Sequence, residues 1–399
     1  MKKILFVVNT MGRAGAELSL LSFLRKLSGE EYEISLYVLT GQGEMIEEVP
    51  SYVRVLNSGY SQKSVLSKAG RRRLIRVVLA AFFRNGGVVR KLRYVAGNLK
   101  EMLGMGKIHL DKLLWRVAAD GAVRFPEHFH LAVAWLEGGS AYYVADWVNA
   151  EKKAAFIHID YEKAGYTRKM DQNCWERFDR VFTVSEDAWK KFVDFYPELR
   201  EKTMVFHNIV DQQYIRLRAR EKGGFSDDYE GMRILTVGRL TYQKGYDIAI
   251  EAMKLLKKSG CMARWYVLGE GDQRKKLERK IALWGLEDDF ILLGSVENPY
   301  PYYAQADLYV HAVRFEGQGI AVWEAQTLGC AVIVSDYCGS QEQIEGGRYG
   351  ISCKLTPEGI AESIRTLLDD RKKREGLGQK AAKKRLPRSQ ERLFFELLE

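Results

Sequence analysis

The strongest constraint in this chain is a rhythm that runs through it twice. Short apolar, β-branched runs mark the first half: "KILFVVN", "EISLYVLT", "LAVAWLE", "AAFIHID" and "VFTVSE". The same pattern restarts at "MRILTVGRL" and continues through "RWYVLGEG", "FILLG", "DLYVHAV" and "AVIVSD". Runs that are apolar on both faces suit strands covered on both sides, as in parallel sheets. Helical patterns separate several of them, including "AELSLLSFLRKLS", "DAWKKFVDFY", "YDIAIEAMKLLKKSG", "DQRKKLERKIALWG" and "IAVWEAQTLG". Two successive strand–helix–strand series predict two doubly wound α/β domains. A length of 399 residues is enough for two cores of near-equal size.

The polar stretch "RAREKGGFSDDYEG", 218–231, reads as the linker between them. That gives a first domain over 1–217, a second over 232–380, and a terminal helix over 381–399 expected to cross back to the first. No internal repeat of 20–50 residues and no low-complexity tract interrupts this plan.

Hydrophobic residues at 46% and charged residues at 29% describe a globular chain rather than a disordered one. Five scattered cysteines form no C-x-x-C pair, which reads as reduced thiols in a cytoplasmic protein. No apolar run approaches the roughly 18–20 residues that a membrane span needs. The opening "MKKILFVVNT" has no small-residue cleavage site after it, so it reads as a first buried strand rather than a leader.

The net charge of +10 is concentrated. Residues 61–124 hold 15 Lys/Arg against 3 Asp/Glu, so the rest of the chain is slightly acidic. Within this segment "KAGRRRLIRVVLAAFFRNGGVVRKLRYVAGNLK" alternates cations with apolar residues at helical spacing. One reading is an amphipathic insert that covers the first domain. The other is a surface, 68–100, lying on an anionic bilayer with Leu79, Phe82 and Phe83 below the head groups. Charge alone would also allow a nucleic-acid contact, but no recognition motif accompanies it and none is expected.

In open parallel sheets, ligands bind beyond the carboxyl ends of the strands. Three loops in that position are unusual. In "RFEGQGIAVWEAQTLG" Glu316 precedes Gly317, Gln318 and Gly319, and a helix is expected to start near Gly319. The free N–H groups of a helix start attract an anion, and glycine lets the backbone approach it. Glu324 would stand about one turn further on, where a carboxylate can accept from two vicinal hydroxyls of a ribose. Glu316 would face whatever hangs from the far phosphate. In "VGRLTYQKGYD", Arg239 and Lys244 offer a fork and a point charge to a diphosphate. The third loop, "NTMGRAGAELS", puts Gly12 and Gly15 between a strand and a helix, with Arg13 nearby. A nucleoside diphosphate held between the domains by fixed cations would need no metal, and the chain has no Asp-x-Asp pair to hold one.

Each residue also has a plainer reading. Arg239 and Lys244 could be a solvated helix start, Glu316 a helix cap, and Gly12 and Gly15 turn geometry. Glu324 on an apolar helix is costly to bury without a partner, which favours a ligand. The segment "LGEGDQR" is not a dinucleotide fingerprint, because Arg274 stands at the third glycine position.

Arg239 with Lys244, Glu316 with Glu324 around "EGQG", and the glycine loop before "AE" together resemble the family 4 retaining glycosyltransferases, the glycosyl transferases group 1. The resemblance covers the chain apart from about 61–124. It implies a GT-B fold of two Rossmann-like domains with the nucleotide-sugar donor held mostly by the second. By position, Arg239 and Lys244 would bind the diphosphate, Glu324 the ribose and Glu316 the donor sugar. The amides of Gly317, Gln318, Gly319 and Ile320 would touch the phosphates and sugar. His158 in "FIHIDY" would lie beside the sugar, and Gly269 to Gly271 would line the base. The implied reaction is retaining transfer without a cofactor, from a UDP- or GDP-linked sugar to a glycan or lipid-linked acceptor in bacterial surface polysaccharide synthesis. A nucleotide-sugar epimerase of the same fold is an alternative, and a nucleic-acid-binding protein is another. Two departures stand out: Ala14 where members often have glycine, and Gln318 where an apolar or aromatic residue is commoner.

Overall fold

The computed structural model describes every residue except 28, 66, 105–109 and 387–390. Parts of the expected basic insert and of the expected terminal helix therefore lie outside the described residues. The chain divides into two units, Met1–Ile209 with Ser389–Glu399, and Val210–Arg388.

The first unit is built on seven strands: β1 (Lys2–Val8), β2 (Tyr32–Val38), β3 (Arg54–Val55), β4 (His128–Ala134), β5 (Asn149–Ile157), β6 (Arg180–Thr183) and β7 (Thr203–Val205). All are parallel, in the order β3-β2-β1-β4-β5-β6-β7. The second has β8 (Met232–Val237), β9 (Ala263–Leu268), β10 (Phe290–Gly294), β11 (Leu308–His311), β12 (Ala331–Ser335) and β13 (Ile351–Cys353). These are parallel too, in the order β10-β9-β8-β11-β12-β13. The expected pair of doubly wound sheets is what forms.

In each sheet the strand order reverses once, between β1 and β4 and between β8 and β11. Such a reversal sends the flanking crossovers to opposite faces and opens a crevice at the carboxyl ends. The loops after β8 and β11 are the ones that carry Arg239, Lys244 and Glu316.

Helices of the first unit are α1 (Gly15–Lys26), α2 (Lys68–Phe83), α3 (Val88–Gly104), α4 (Leu110–Asp120), α5 (Gly139–Trp147) and α6 (Glu186–Phe195). The second unit has α7 (Gln212–Arg218), α8 (Tyr246–Lys258), α9 (Arg274–Leu283), α10 (Tyr300–Gln305), α11 (Ile320–Thr327), α12 (Ser340–Ile344), α13 (Pro357–Asp369) and α14 (Arg371–Lys383). Side-chain oxygens of Ser67, Ser185, Asp211, Thr356 and Asp370 cap five of these starts. Each satisfies an N–H that the helix cannot.

The C-terminal α15 (Glu391–Phe395) packs into the first unit. Its Phe394 stacks on Phe6 at 6.0 Å and meets Phe23 edge-on at 4.9 Å. The segment expected as a linker is instead held to the second unit. Asp227 accepts from Tyr266 Oη at 2.5 Å, Arg233 at 3.0 Å and Arg264 at 3.2 Å, and Phe225 packs on Tyr266. The division falls earlier, after Ile209, so α7 belongs to the second unit.

Candidate active site

The site is built where the loops after β8 and β11 are fastened together. After β8 the chain makes a short 3-10 turn, Tyr242–Lys244, and passes through Gly245 at φ +64° into α8. A Cβ at Gly245 would stand 2.3 Å from the Ala312 carbonyl oxygen, so only glycine lets the two loops meet. Arg314 closes the same seam with two 2.8 Å bonds to Asp247 and one of 2.7 Å to the Tyr242 carbonyl. Gln243 adds a 2.8 Å bond to the Phe315 carbonyl.

This fastening delivers Lys244 to Glu316. Lys244 Nζ donates to both carboxylate oxygens, at 2.7 and 2.9 Å. His311, the last residue of β11, places Nε2 2.6 Å from Glu316 Oε2, and its Nδ1 lies 3.2 Å from the Tyr309 hydroxyl. Burial opposes ionisation of Glu316, but the charge of Lys244 and then the contact with His311 outweigh it and hold the carboxyl down to about 2. Glu316 is thus a fixed anion. Burial pushes the His311 imidazole down, against the pull of Glu316. Arg239, on the loop after β8, is exposed, and its guanidinium has no ion pair among the described residues.

At the start of α11 the structure corrects one expectation. Gly319 is the N-cap, as the pattern predicts, but its N–H donates to Gln343 Oε1 at 3.1 Å and its carbonyl accepts from Gln343 Nε2 at 2.7 Å. An amide so committed does not face a ligand. Gly319 is required here for room: a Cβ would lie 2.8 Å from the Tyr337 hydroxyl and 3.0 Å from His311 Nε2. Gly317, Gln318 and Ile320 are buried around it.

Glu324 is buried on α11, and its partners are two tyrosines of α10. Tyr300 Oη lies 3.2 Å from Oε1 and Tyr303 Oη 3.0 Å from Oε2. Burial raises this carboxyl, and the two hydroxyls work against the rise. Each oxygen keeps a second lone pair, so the acid can still accept from other hydroxyls. Tyr309, whose ring centroid is 5.3 Å from that of Tyr303, feels the charge of both Glu316 and Glu324. The two acids therefore belong to one connected cluster, through Tyr303, Tyr309 and His311.

Gly269 and Gly271 follow β9, where that loop lies against the loop after β8. A Cβ at Gly269 would come within 2.0 Å of the Gly238 carbonyl oxygen, and one at Gly271 within 2.2 Å of that of Leu240. The Leu240 N–H donates to the Glu270 carbonyl at 2.9 Å. These glycines shape the loop that carries Arg239.

Three expected site residues, Gly12, Gly15 and His158, belong to the first unit. Gly12 lies in the loop after β1, and Gly15 opens α1. Arg13 beside them is paired with Glu48 at 2.9 Å. His158 directly follows β5; its ring stacks on Phe156, and its backbone N–H donates to Glu137 Oε2 at 3.0 Å. Burial holds its imidazole down to about 3, so it is neutral at physiological pH.

Sequence reasoning missed His311, Gln343, Tyr300 and Tyr303. A histidine inside the apolar part of "DLYVHAV" was the one signal for His311.

Residues 219–384 match the family described as glycosyl transferases group 1. Among curated proteins, the chain is 30% identical over 209 residues to N-acetylgalactosamine-N,N'-diacetylbacillosaminyl-diphospho-undecaprenol 4-alpha-N-acetylgalactosaminyltransferase of Campylobacter jejuni, covering 52% of this chain and 55% of that one. It is 31% identical over 246 residues to alpha-D-kanosaminyltransferase of Streptomyces kanamyceticus, covering 60% and 58%. The chain thus spans little more than half the length of these relatives. Among solved structures, Anabaena HepE in complex with UDP and glucose superposes with a TM-score of 0.66 at 15% identity, covering 96% of this chain and 94% of that one. TarM gives 0.67 at 14% identity, covering 100% and 98%. The chain has the GT-B fold, and its second unit is related to the glycosyl transferases group 1.

Proposed function

We propose that the protein is a retaining glycosyltransferase that moves a sugar from a nucleotide-sugar donor to a glycan or lipid-linked acceptor in surface polysaccharide synthesis. One observation carries the reading: the contact of Lys244 with Glu316 at the carboxyl ends of β8 and β11, beside the exposed Arg239. A diphosphate beyond those strands would be met by two cations, and the sugar it carries by an acid already fixed as an anion.

In this reading Glu324 holds the ribose, Glu316 the donor sugar, and Gly269 to Gly271 the edge of the base. Gly317, Gln318 and Ile320 shape the pocket wall. His158, in the first unit, enters the reading as a neutral hydrogen-bonding group.

The bond from the anomeric carbon to the diphosphate oxygen breaks with its electron pair going to that oxygen. The acceptor hydroxyl attacks from the same face and passes its proton to the departing diphosphate. Arg239 and Lys244 stabilise the charge that develops there, without calling on a metal ion. A covalent route through paired carboxylates fits poorly, because Lys244 and His311 already engage Glu316, and Glu324 faces tyrosines.

Among the described residues no helix is long and apolar enough to cross a membrane. Residues 68–100 are read as a peripheral contact with an anionic membrane at the cytoplasmic face, close to lipid-linked acceptors. Two relatives bear on that reading by name: the C. jejuni enzyme, whose acceptor is a diphospho-undecaprenol, and a capsular polysaccharide biosynthesis glycosyltransferase of Staphylococcus aureus.

The test is incubation with UDP-, GDP- and ADP-sugars and a panel of lipid-linked acceptors, with the anomeric configuration of the product read by NMR. Acceptor-dependent nucleotide release with the donor's configuration kept is expected. Inversion, or sugar epimerisation without an acceptor, would overturn the proposal.

A further inference from the structure

A second basic feature lies in the first unit. A pocket of about 370 Å³ opens between α3, α4, the end of α5 and the segment 169–177. Asp146 and Trp147 in its wall end α5 just before β5 begins. The pocket therefore sits towards the amino ends of the strands, opposite the loops that follow β1 and β4.

Its wall holds Arg90, Arg116, Lys169 and Arg177 against Asp120 and Asp146. Arg116 is spent inside the fold, on Asp146 at 2.9 Å and on the carbonyls of Met170 and Gln172. Arg177 makes a 2.9 Å bond to the same Asp146, and Arg90 a 3.0 Å bond to Asp120. Lys169 donates to the Gly97 carbonyl at 3.0 Å, with Glu101 at 3.9 Å outside the wall. Arg90, Lys169 and Arg177 remain 63%, 50% and 49% exposed, so each keeps donors facing outward. Lys91, also in the wall, points its ammonium at the carbonyls of Ala81 and Arg84.

Beside this excess of positive charge stands an exposed apolar stripe. Ile75, Leu79 and Phe83 recur every four residues on α2 and are 58%, 55% and 76% exposed. Val89 and Leu92, on either side of Arg90 on α3, are 62% and 54% exposed. Arg71, Arg72 and Arg76 are exposed beside the stripe. Apolar side chains at this density with cations at their margin match the interface of an anionic bilayer.

We propose that the pocket takes the phosphate of an anionic lipid head group while the stripe enters the acyl boundary. Arg90 and Arg177 offer planar forks to the phosphate oxygens and Lys169 a point charge. The proposal rests on reading 68–100 as a membrane-facing surface, and it needs no donor or acceptor chemistry.

The test is co-sedimentation of the full chain with phosphatidylglycerol and phosphatidylcholine vesicles at 0.15 M salt. The wild type is compared with Arg90→Ala/Arg177→Ala, with Arg71→Ala/Arg72→Ala as a charge-matched control and circular dichroism as the folding check. The expected result is binding to phosphatidylglycerol alone, weakened about 30-fold by the control, the worth of two surface cations, and about tenfold more than that by the pocket pair. Equal losses in the two pairs would reduce the pocket to general charge and overturn the proposal. Thermal stabilisation by inorganic phosphate that needs Arg90 and Arg177, without vesicle binding, would overturn the lipid source. A protein that binds vesicles but turns over no nucleotide sugar would sink the transfer reading and leave this one standing.

Discussion

Lys244 and Glu316, 72 positions apart, form a two-pronged contact at 2.7 and 2.9 Å at the ends of neighbouring strands. Because the cation is already matched to an acid, a diphosphate arriving at Lys244 competes with Glu316 for it. In the proposed reading the pair is a poised group, with Lys244 assigned to the leaving phosphate and Glu316 to the sugar.

Replacing Glu316 with alanine frees Lys244 and removes the acid that the proposed reading assigns to the sugar. Nucleoside diphosphate binding should persist or tighten, and transfer should fall by 10² or more, on the order of the loss of one preorganised electrostatic group. Calorimetry paired with a turnover assay checks both halves. Normal turnover in this variant would remove Glu316 from the mechanism.

The same acid makes a pH prediction. Its folded value of about 2 lies below the ordinary 4.5, so the charged form stabilises the fold above pH 4.5, and that support drains away as the pH falls towards 2. Its size is on the order of 3 kcal/mol. Urea unfolding of Glu316→Gln should show its largest deficit from wild type above pH 5, narrowing as the solution is acidified. A deficit that does not change with pH would contradict the assignment.

Glu324 runs the other way. Burial raises its carboxyl, so the charged form costs stability at neutral pH; the cost fades as the pH falls through the raised folded value and is gone below the ordinary 4.5. Glu324→Gln should melt at or above the wild-type temperature at pH 8. If the acid reads a ribose, nucleotide affinity should still fall about tenfold or more, as expected for a lost charged hydrogen bond. Unchanged affinity would leave Glu324 a structural partner of Tyr300 and Tyr303.

Gly319→Ala tests the packing under the acid. The new methyl meets the Tyr337 hydroxyl and His311 Nε2, and overpacking of this kind costs about 1–3 kcal/mol. Activity should fall further than stability explains, because the group displaced is the one that holds Glu316. A variant as active as wild type would show that His311 need not stay in place.

The parallel sheets were legible because runs such as "MRILTVGRL" and "DLYVHAV" are apolar at most positions on both faces. The edge strands β3, β7 and β13, of two or three residues, are too short to carry a pattern. The placement of Arg239, Lys244 and Glu316 on loops at strand ends, and of Glu324 on the helix that follows, was readable from the glycine-rich segments. Their partners were not: Gln343, Tyr300 and His311 reach the site through tertiary contacts that no local spacing announces. The polar composition of 218–231 likewise hides the bonds of Asp227 to Arg233, Arg264 and Tyr266.

The most direct test of the central claim is titration calorimetry with the nucleoside diphosphate that most raises the melting temperature, on wild type, Arg239→Ala and Lys244→Ala. Saturable binding by wild type, weakened about 30-fold in each variant, is predicted, in keeping with loss of a charge-assisted contact. Binding that is absent in wild type, or unchanged in both variants, would contradict the account.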